Sequence, residues 1–199
     1  MKHLQVLTQD KVLAAILRDV QPYKPRKDKD LYFRLMRAIA GQQLSTKAAA
    51  TIWQRFLNLF PGEYPQPKDV LDMDVERLRG AGLSYQKAGY MKNIARFSIG
   101  NDLSFEYLNT LNDDEAVDYL CAIKGVGRWS AEMLLMFSMG RKNVFPADDQ
   151  GIVNAMKKLY RLRSTGKALR LRCIRIAKQW HPYRSHACFY LWPYLDKIR

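Results

Sequence analysis

The chain has 199 residues, 48% hydrophobic and 26% charged, which excludes a disordered or low-complexity protein and allows one domain, or at most two small ones, with a sizeable core. Lys and Arg outnumber Asp and Glu by 33 to 19, a formal net charge of +14 that points to a polyanion, either nucleic acid or an acidic membrane surface. No apolar run reaches the roughly 18 residues of a membrane span, the start MKHLQVLTQDKV lacks the apolar core of a secretion signal, and Cys121, Cys173 and Cys188 form no CxxC pair, zinc pattern or iron–sulfur array. A reducing compartment is expected, cytosol (the nucleoid in a bacterium) or nucleus, with no secretion.

Helices are predicted from end to end. Asp10–Arg18 has apolar residues at 12, 13, 16 and 17, which is helical spacing. Residues 23–30 (YKPRKDKD) read as a polar connector. Residues 31–60 read as two helices broken near Gly41-Gln-Gln-Leu-Ser45, with Ser45 as the N-cap of the second. A proline-rich loop over 61–67 precedes short helices near 68–73 and 74–80, a turn at Gly82-Leu-Ser84 and a helix over 85–99. Thr110 or Asn112 caps a helix over 113–121 that ends at Gly125-Val-Gly127. Further helices are predicted over 128–139, 150–161, 167–180 and 183–195, with an extended loop at 141–148. No alternating β pattern of useful length and no repeat appears, so the fold class is all-α.

Two stretches can carry chemistry. In Tyr119-Leu-Cys-Ala-Ile-Lys-Gly-Val-Gly-Arg-Trp-Ser-Ala, one helix stops at a Gly-Val-Gly turn and another starts at once. The glycines permit positive φ and close approach, and the new helix offers free N–H groups and its positive end to an anion such as a phosphate. An ordinary C-cap followed by a tight turn reads the same way. In Val144-Phe-Pro-Ala-Asp-Asp-Gln-Gly-Ile152, two carboxylates stand where a loop enters a helix, so one of them can cap it. Taken alone, both are also read as helix-start residues and nothing more.

The charge is concentrated near the second stretch. Residues 1–149 hold 21 basic and 18 acidic side chains, whereas residues 150–199 hold 12 basic and one acidic, Asp196. Between Gln150 and Leu195 there are ten basic residues and no acid. Such a run is costly in self-repulsion unless a polyanionic partner neutralises it.

The same stretches resemble a family. The hairpin followed by Val-Phe-Pro-Ala-Asp-Asp is similar to the helix–hairpin–helix DNA glycosylases, in particular the AlkA/Mag type of 3-methyladenine DNA glycosylase. So are Arg37-Ala-Ile-Ala-Gly-Gln-Gln-Leu-Ser-Thr-Lys-Ala-Ala, Leu78-Arg-Gly-Ala-Gly-Leu-Ser-Tyr-Gln-Lys-Ala, and Trp180-His-Pro-Tyr-Arg-Ser-His-Ala followed by Leu191-Trp192. The blocks follow the family's order from about residue 31 to 192.

The resemblance implies a helix–hairpin–helix glycosylase fold of two helical lobes with the active-site cleft between them, without the N-terminal β domain of larger relatives. It implies a monomer that binds double-stranded DNA containing damaged bases, not a membrane, and excises alkylated purines from it. Asp149 becomes the catalytic carboxylate, facing the positive charge that builds on the sugar, and Asp148 a capping or orienting residue. Relatives that also cut the strand carry a lysine nucleophile where this chain has Trp129, so a monofunctional enzyme leaving an abasic site is implied.

Trp129 and Trp192 match aromatic pocket positions, Met133 replaces an aromatic found in some members, and Gln42 with Trp53, Tyr32 and Tyr23 are rim candidates. Gly125, Val126, Gly127, Arg128 and Ser130 of the hairpin are implied to hold a phosphate. Leu83, Ser84 and Tyr85 are candidates for the wedge that fills the gap left by a flipped base. Lys87, Arg128, Lys142 and Arg184 are candidate phosphate contacts. No cofactor is required; a monovalent cation on the carbonyls of Cys121, Ile123 and Val126 is implied. Open alternatives are a glycosylase for oxidised or deaminated bases, a non-catalytic helix–hairpin–helix DNA-binding protein and, more distantly, a metal nuclease using Asp148 and Asp149.

Overall fold

A computed structural model describes residues 2–198. Among them there is no β-strand, in line with the all-α expectation. The chain divides into two compact units, one formed by residues up to Lys27 together with those from Leu135 onward, the other by Asp28–Leu134.

The contiguous unit contains α3 (Leu31–Gly41), α4 (Thr46–Leu57), α5 (Pro67–Asp72), α6 (Val75–Gly80), α7 (Tyr85–Gly100), α8 (Phe105–Thr110), α9 (Asp113–Cys121) and α10 (Arg128–Met133). Helix α7 packs on α3, α5 and α6, while α10 packs on α9 and α3. The helical period is explicit in α3, where Leu31, Tyr32, Leu35, Met36, Ile39 and Ala40 are buried. Asn112, not Thr110, caps α9, in a reciprocal capping box with Glu115. Thr110 instead ends α8, an unanticipated helix capped by the Ser104 hydroxyl.

The discontinuous unit holds α1 (Lys2–Leu7), α2 (Lys11–Leu17), α11 (Gln150–Leu159), α12 (Gly166–Ala177) and α13 (Arg184–Lys197). Helix α13 packs against α11 and α2, and α11 against α12. The helix predicted over 128–139 is present as α10 up to Met133 and continues without a gap as a π-helical turn over Leu134–Ser138. Trp180 closes a 3-10 turn after α12.

Asp10 fixes this unit internally. One carboxylate oxygen caps α2 by accepting the N–H groups of Val12 and Leu13. The other accepts from the Tyr160 hydroxyl at 2.6 Å, Gln179 Nε2 at 2.8 Å and Trp180 Nε1 at 2.9 Å. A buried carboxylate is tolerable only with such a set of donors. Cys173 and Cys188 are buried, and burial pushes the Cys173 thiol up to about 11, as suits a packing residue.

Helix α13 is interrupted in a productive way. Pro193 lies inside it and has no N–H to give the Phe189 carbonyl four positions back. That carbonyl instead accepts the backbone N–H of Tyr23 at 3.0 Å, so the proline leaves an acceptor that anchors the segment after α2.

Candidate active site

The Asp pair is divided by its surroundings. Asp149 is 8% exposed and is itself the N-cap of α11, its Oδ1 accepting the Ile152 N–H at 2.8 Å. The same oxygen accepts the indole Nε1–H of Trp192 at 3.0 Å. Asp148 is exposed and ion-paired with Arg170 at 2.8 Å. The capping expected of Asp148 therefore falls to Asp149, because the second aspartate, not the first, sits at the helix boundary with extended backbone. Gly151 makes room for this arrangement: a Cβ there would lie 3.1 Å from Asp149 Oδ1 and 3.1 Å from the Trp192 ring.

The loop leading to Asp149 is held by α13. The fully buried Ser185 hydroxyl accepts the Val144 N–H at 2.9 Å and donates to the Val144 carbonyl at 3.1 Å. The Ser185 N–H donates to the Lys142 carbonyl. Two helical turns further along the same helix, Trp192 reaches Asp149, so one helix grips both ends of the loop. Arg184 donates its Nε–H to Asn143 Oδ1 at 3.0 Å, which places this candidate phosphate contact in the same bracket. The residue names alone gave no sign of the Ser185 clamp. Trp192 is half-buried among Tyr23, Phe137 and Phe189, with ring centroids 5.6–6.3 Å away.

The contiguous unit carries the hairpin. After α9 the chain turns with the Val126 N–H on the Ile123 carbonyl at 2.9 Å, and Asn93 Nδ2 donates to the Lys124 carbonyl. Gly125 has φ +109°, and a Cβ there would stand 2.2 Å from the Tyr90 ring, so the position requires glycine twice over. Gly127 opens α10 with no side-chain cap, and a Cβ there would meet nothing within 4 Å. Arg128 is engaged by Glu132 at 3.0 Å and Asp114 at 3.3 Å. Ser130 is buried and its hydroxyl accepts from Gln42 Nε2 at 3.1 Å, so it is a support behind the hairpin rather than a surface group.

Trp129, Met133 and Gln42 line one pocket of about 630 Å³ together with Ser130, Gln43 and Leu44. Trp129 is 43% exposed, unusual for so large an apolar side chain. Trp192, the remaining predicted pocket residue, belongs to the other unit with Asp149.

Several candidates serve the fold instead. Trp53 is buried against Phe33 and Phe56. Tyr32 is buried with its hydroxyl on the Pro65 carbonyl. Lys87 Nζ donates to the carbonyls of Ala40 and Gln42 at 2.9 and 2.7 Å, capping the end of α3, and burial holds its ammonium below the usual lysine range. Leu83 is buried, so of the three wedge candidates Ser84 and Tyr85 are exposed, and Ser84 caps α7. Tyr85 is 60% exposed, with its hydroxyl donating to Glu76 at 2.7 Å and the Arg79 guanidinium 3.6 Å from its ring centroid. Tyr23 is exposed beside Trp192, its hydroxyl donating to Asp196. Lys142 is exposed.

Among the described residues no group of three or more His, Cys, Asp and Glu could hold a metal ion, so a cation at the hairpin would rest on backbone carbonyls. No helix among them is long and apolar enough to cross a membrane.

The chain is similar to proteins of known kind. It is 36% identical over 193 residues to a protein of Schizosaccharomyces pombe named DNA-3-methyladenine glycosylase 1, with 96% of this chain and 84% of that protein covered. A solved structure described as the S. pombe 3-methyladenine DNA glycosylase in complex with abasic DNA superposes with a TM-score of 0.82 at 34% identity, covering 96% of this chain and 95% of that one. A DNA-3-methyladenine glycosidase from Bacillus halodurans gives a TM-score of 0.86 at 31% identity, covering 98% and 89%. The family model that matches residues 36–179 spans the hairpin, the Asp148–Asp149 loop and most of the basic segment, and the chain belongs to the family it describes, the HhH-GPD superfamily of base excision DNA repair proteins.

Proposed function

We propose that the chain is a monofunctional DNA glycosylase that hydrolyses the N-glycosidic bond of alkylated purines, of the 3-methyladenine and 7-methylguanine type, in duplex DNA and leaves an abasic site. The observation that carries this reading is Asp149, a buried carboxylate pinned on one oxygen by the Ile152 N–H and the Trp192 indole. The names of its relatives, and the abasic DNA in one of their structures, support the substrate and the product.

Breaking the bond leaves positive charge on the sugar, and a carboxylate fixed beforehand stabilises that charge without reorganising. It also serves to orient the attacking water. The target base must first leave the stack, and a cationic alkylated purine gains by lying on an electron-rich ring such as Trp129, with Met133 and Gln42 beside it. The start of α10, where Gly127 supplies no side-chain cap, suits one DNA phosphate without reading sequence.

Trp129 stands where a lyase needs an amine, so the strand stays intact. The carbonyls of Cys121, Ile123 and Val126 would hold a monovalent cation; Ile123 already accepts the Val126 N–H and keeps its second lone pair. Such an ion would add positive charge beside the bound phosphate.

The test is incubation with N-methylated duplex, identification of the released bases, and comparison of strand breaks before and after alkali. Free methylpurines with breaks only after alkali are expected. Asp149→Asn should lower release by at least about a hundredfold while duplex binding survives. Asp148→Asn, which removes an exposed ion pair, should cost less than about tenfold. Wild-type release by the Asp149 variant overturns the assignment, and a wild-type chain that binds DNA but frees no base marks a non-catalytic binding protein.

A further inference from the structure

Helix α12 carries charge where charge works against a helix. Its first turn holds Lys167 and no acidic residue, and Thr165 before it makes no capping hydrogen bond, although a helix N-terminus favours anions. Lys167 and Arg170 stand three positions apart, as do Arg172 and Arg175, and Arg175 and Lys178, a spacing at which like charges repel. Leu169, Cys173 and Ala177 form the buried side. The five basic side chains are exposed, around a Leu171 that is itself 53% exposed. Arg170 has Asp148; among the described residues Lys167, Arg172, Arg175 and Lys178 have no acidic partner.

The face also has a definite place. Arg170 touches Asp148 at 2.8 Å, and Asp148 is the residue before Asp149, about 3.8 Å away along the backbone. The cationic ridge thus starts one ion pair from the buried carboxylate, within the same unit.

We propose that the exposed face of α12 binds the sugar–phosphate backbone of duplex DNA, independently of sequence. This rests on the reading of Asp149 as the residue that meets the damaged nucleotide, since a duplex delivering its sugar there brings flanking phosphates past Arg170. From Arg172 to Lys178, the residue that caps α12, the chain rises about 9 Å, and a DNA strand presents a phosphate about every 3.4 Å of its axis, so the ridge spans more than one phosphate. An anionic membrane fits poorly: Leu171 is the lone large apolar side chain exposed on this helix, too little for an interfacial helix.

The test uses the full chain and undamaged duplex, with affinity measured by fluorescence anisotropy across a salt series. The triple variant R172Q/R175Q/K178Q is compared with R55Q/K68Q/R77Q, which removes equal charge from exposed positions of the other unit. The α12 variant should bind about tenfold or more weakly near 0.1 M salt, and its log–log salt slope should be shallower by about 2 to 3, against less than about 1 for the control. Its melting temperature should not fall, because repulsion is being removed. The single charge reversal R175E should shift the slope in the same direction. A wild-type slope in both α12 variants, or equal loss in the control triple, overturns the proposal. A wild-type chain that shows the α12 effect but frees no base defeats the glycosylase reading and leaves this surface standing.

Discussion

At the scale of single residues, position relative to a helix boundary decides what an aspartate does. Asp148 and Asp149 are neighbours with the same chemistry, yet one is an exposed partner of Arg170 and the other a buried cap. Asp10 shows the structural use of the same group: a buried carboxylate accepting from Val12, Leu13, Tyr160, Gln179 and Trp180. Removing it leaves several buried donors unsatisfied, each a cost of its own. Asp10→Ala should therefore destabilise the chain by about 3 to 5 kcal/mol, read as a lowered urea midpoint. A loss below about 1 kcal/mol would mean that water or a rearranged neighbour takes its place.

At the scale of elements, α13 is the part on which the site depends. Ser185 holds Val144 and Trp192 holds Asp149, so the loop between them is set by one helix. Ser185→Ala deletes both bonds to Val144 and should lower kcat about tenfold or more with little change in KM, because it displaces the carboxylate rather than the DNA surface. Ser185→Thr, which keeps the hydroxyl, should recover much of the rate, whereas an equal rise in KM would argue against a positioning role. The same helix carries His186, stacked on His3 of α1 at 4.6 Å. Burial holds both imidazoles below the ordinary 6.5, so the folded chain binds fewer protons than the unfolded one in that range. Stability then rises with pH through this window and falls on acidification below about 6.5. His186→Gln should flatten the slope of melting temperature between about pH 5 and 7.

Much of this organisation was legible in the chain. Buried positions at helical spacing marked α3, α4 and α11, and the loop-to-helix step marked the Asp pair. Short helices α1 and α8 left too few turns for a period to show. Spatial partners separated by tens of residues, such as Ser185 with Val144 or Lys87 with Ala40, leave no local signature. Residue type alone also gave no sign that Lys87 and Arg128 are engaged by groups of the chain itself.

At the scale of the whole molecule, charge and architecture separate. The +14 is carried chiefly by the part of the chain that follows Asp149, and its exposed share includes the outer face of α12. The contiguous unit needs only Asp28–Leu134, whereas its companion is assembled from both sides of that stretch. Leu13 and Ile16 of α2, buried in the finished molecule, are made well before α13, the helix that packs on α2. They must wait while roughly 170 further residues are made, on the order of 10 to 30 seconds at typical rates of synthesis. Through that interval the first helices are an apolar segment without its native cover, and the anchor on the Phe189 carbonyl that receives Tyr23 has yet to be translated. Until α13 is made, α2 offers itself to chaperones and proteases, and the packing of α13 ends that exposure.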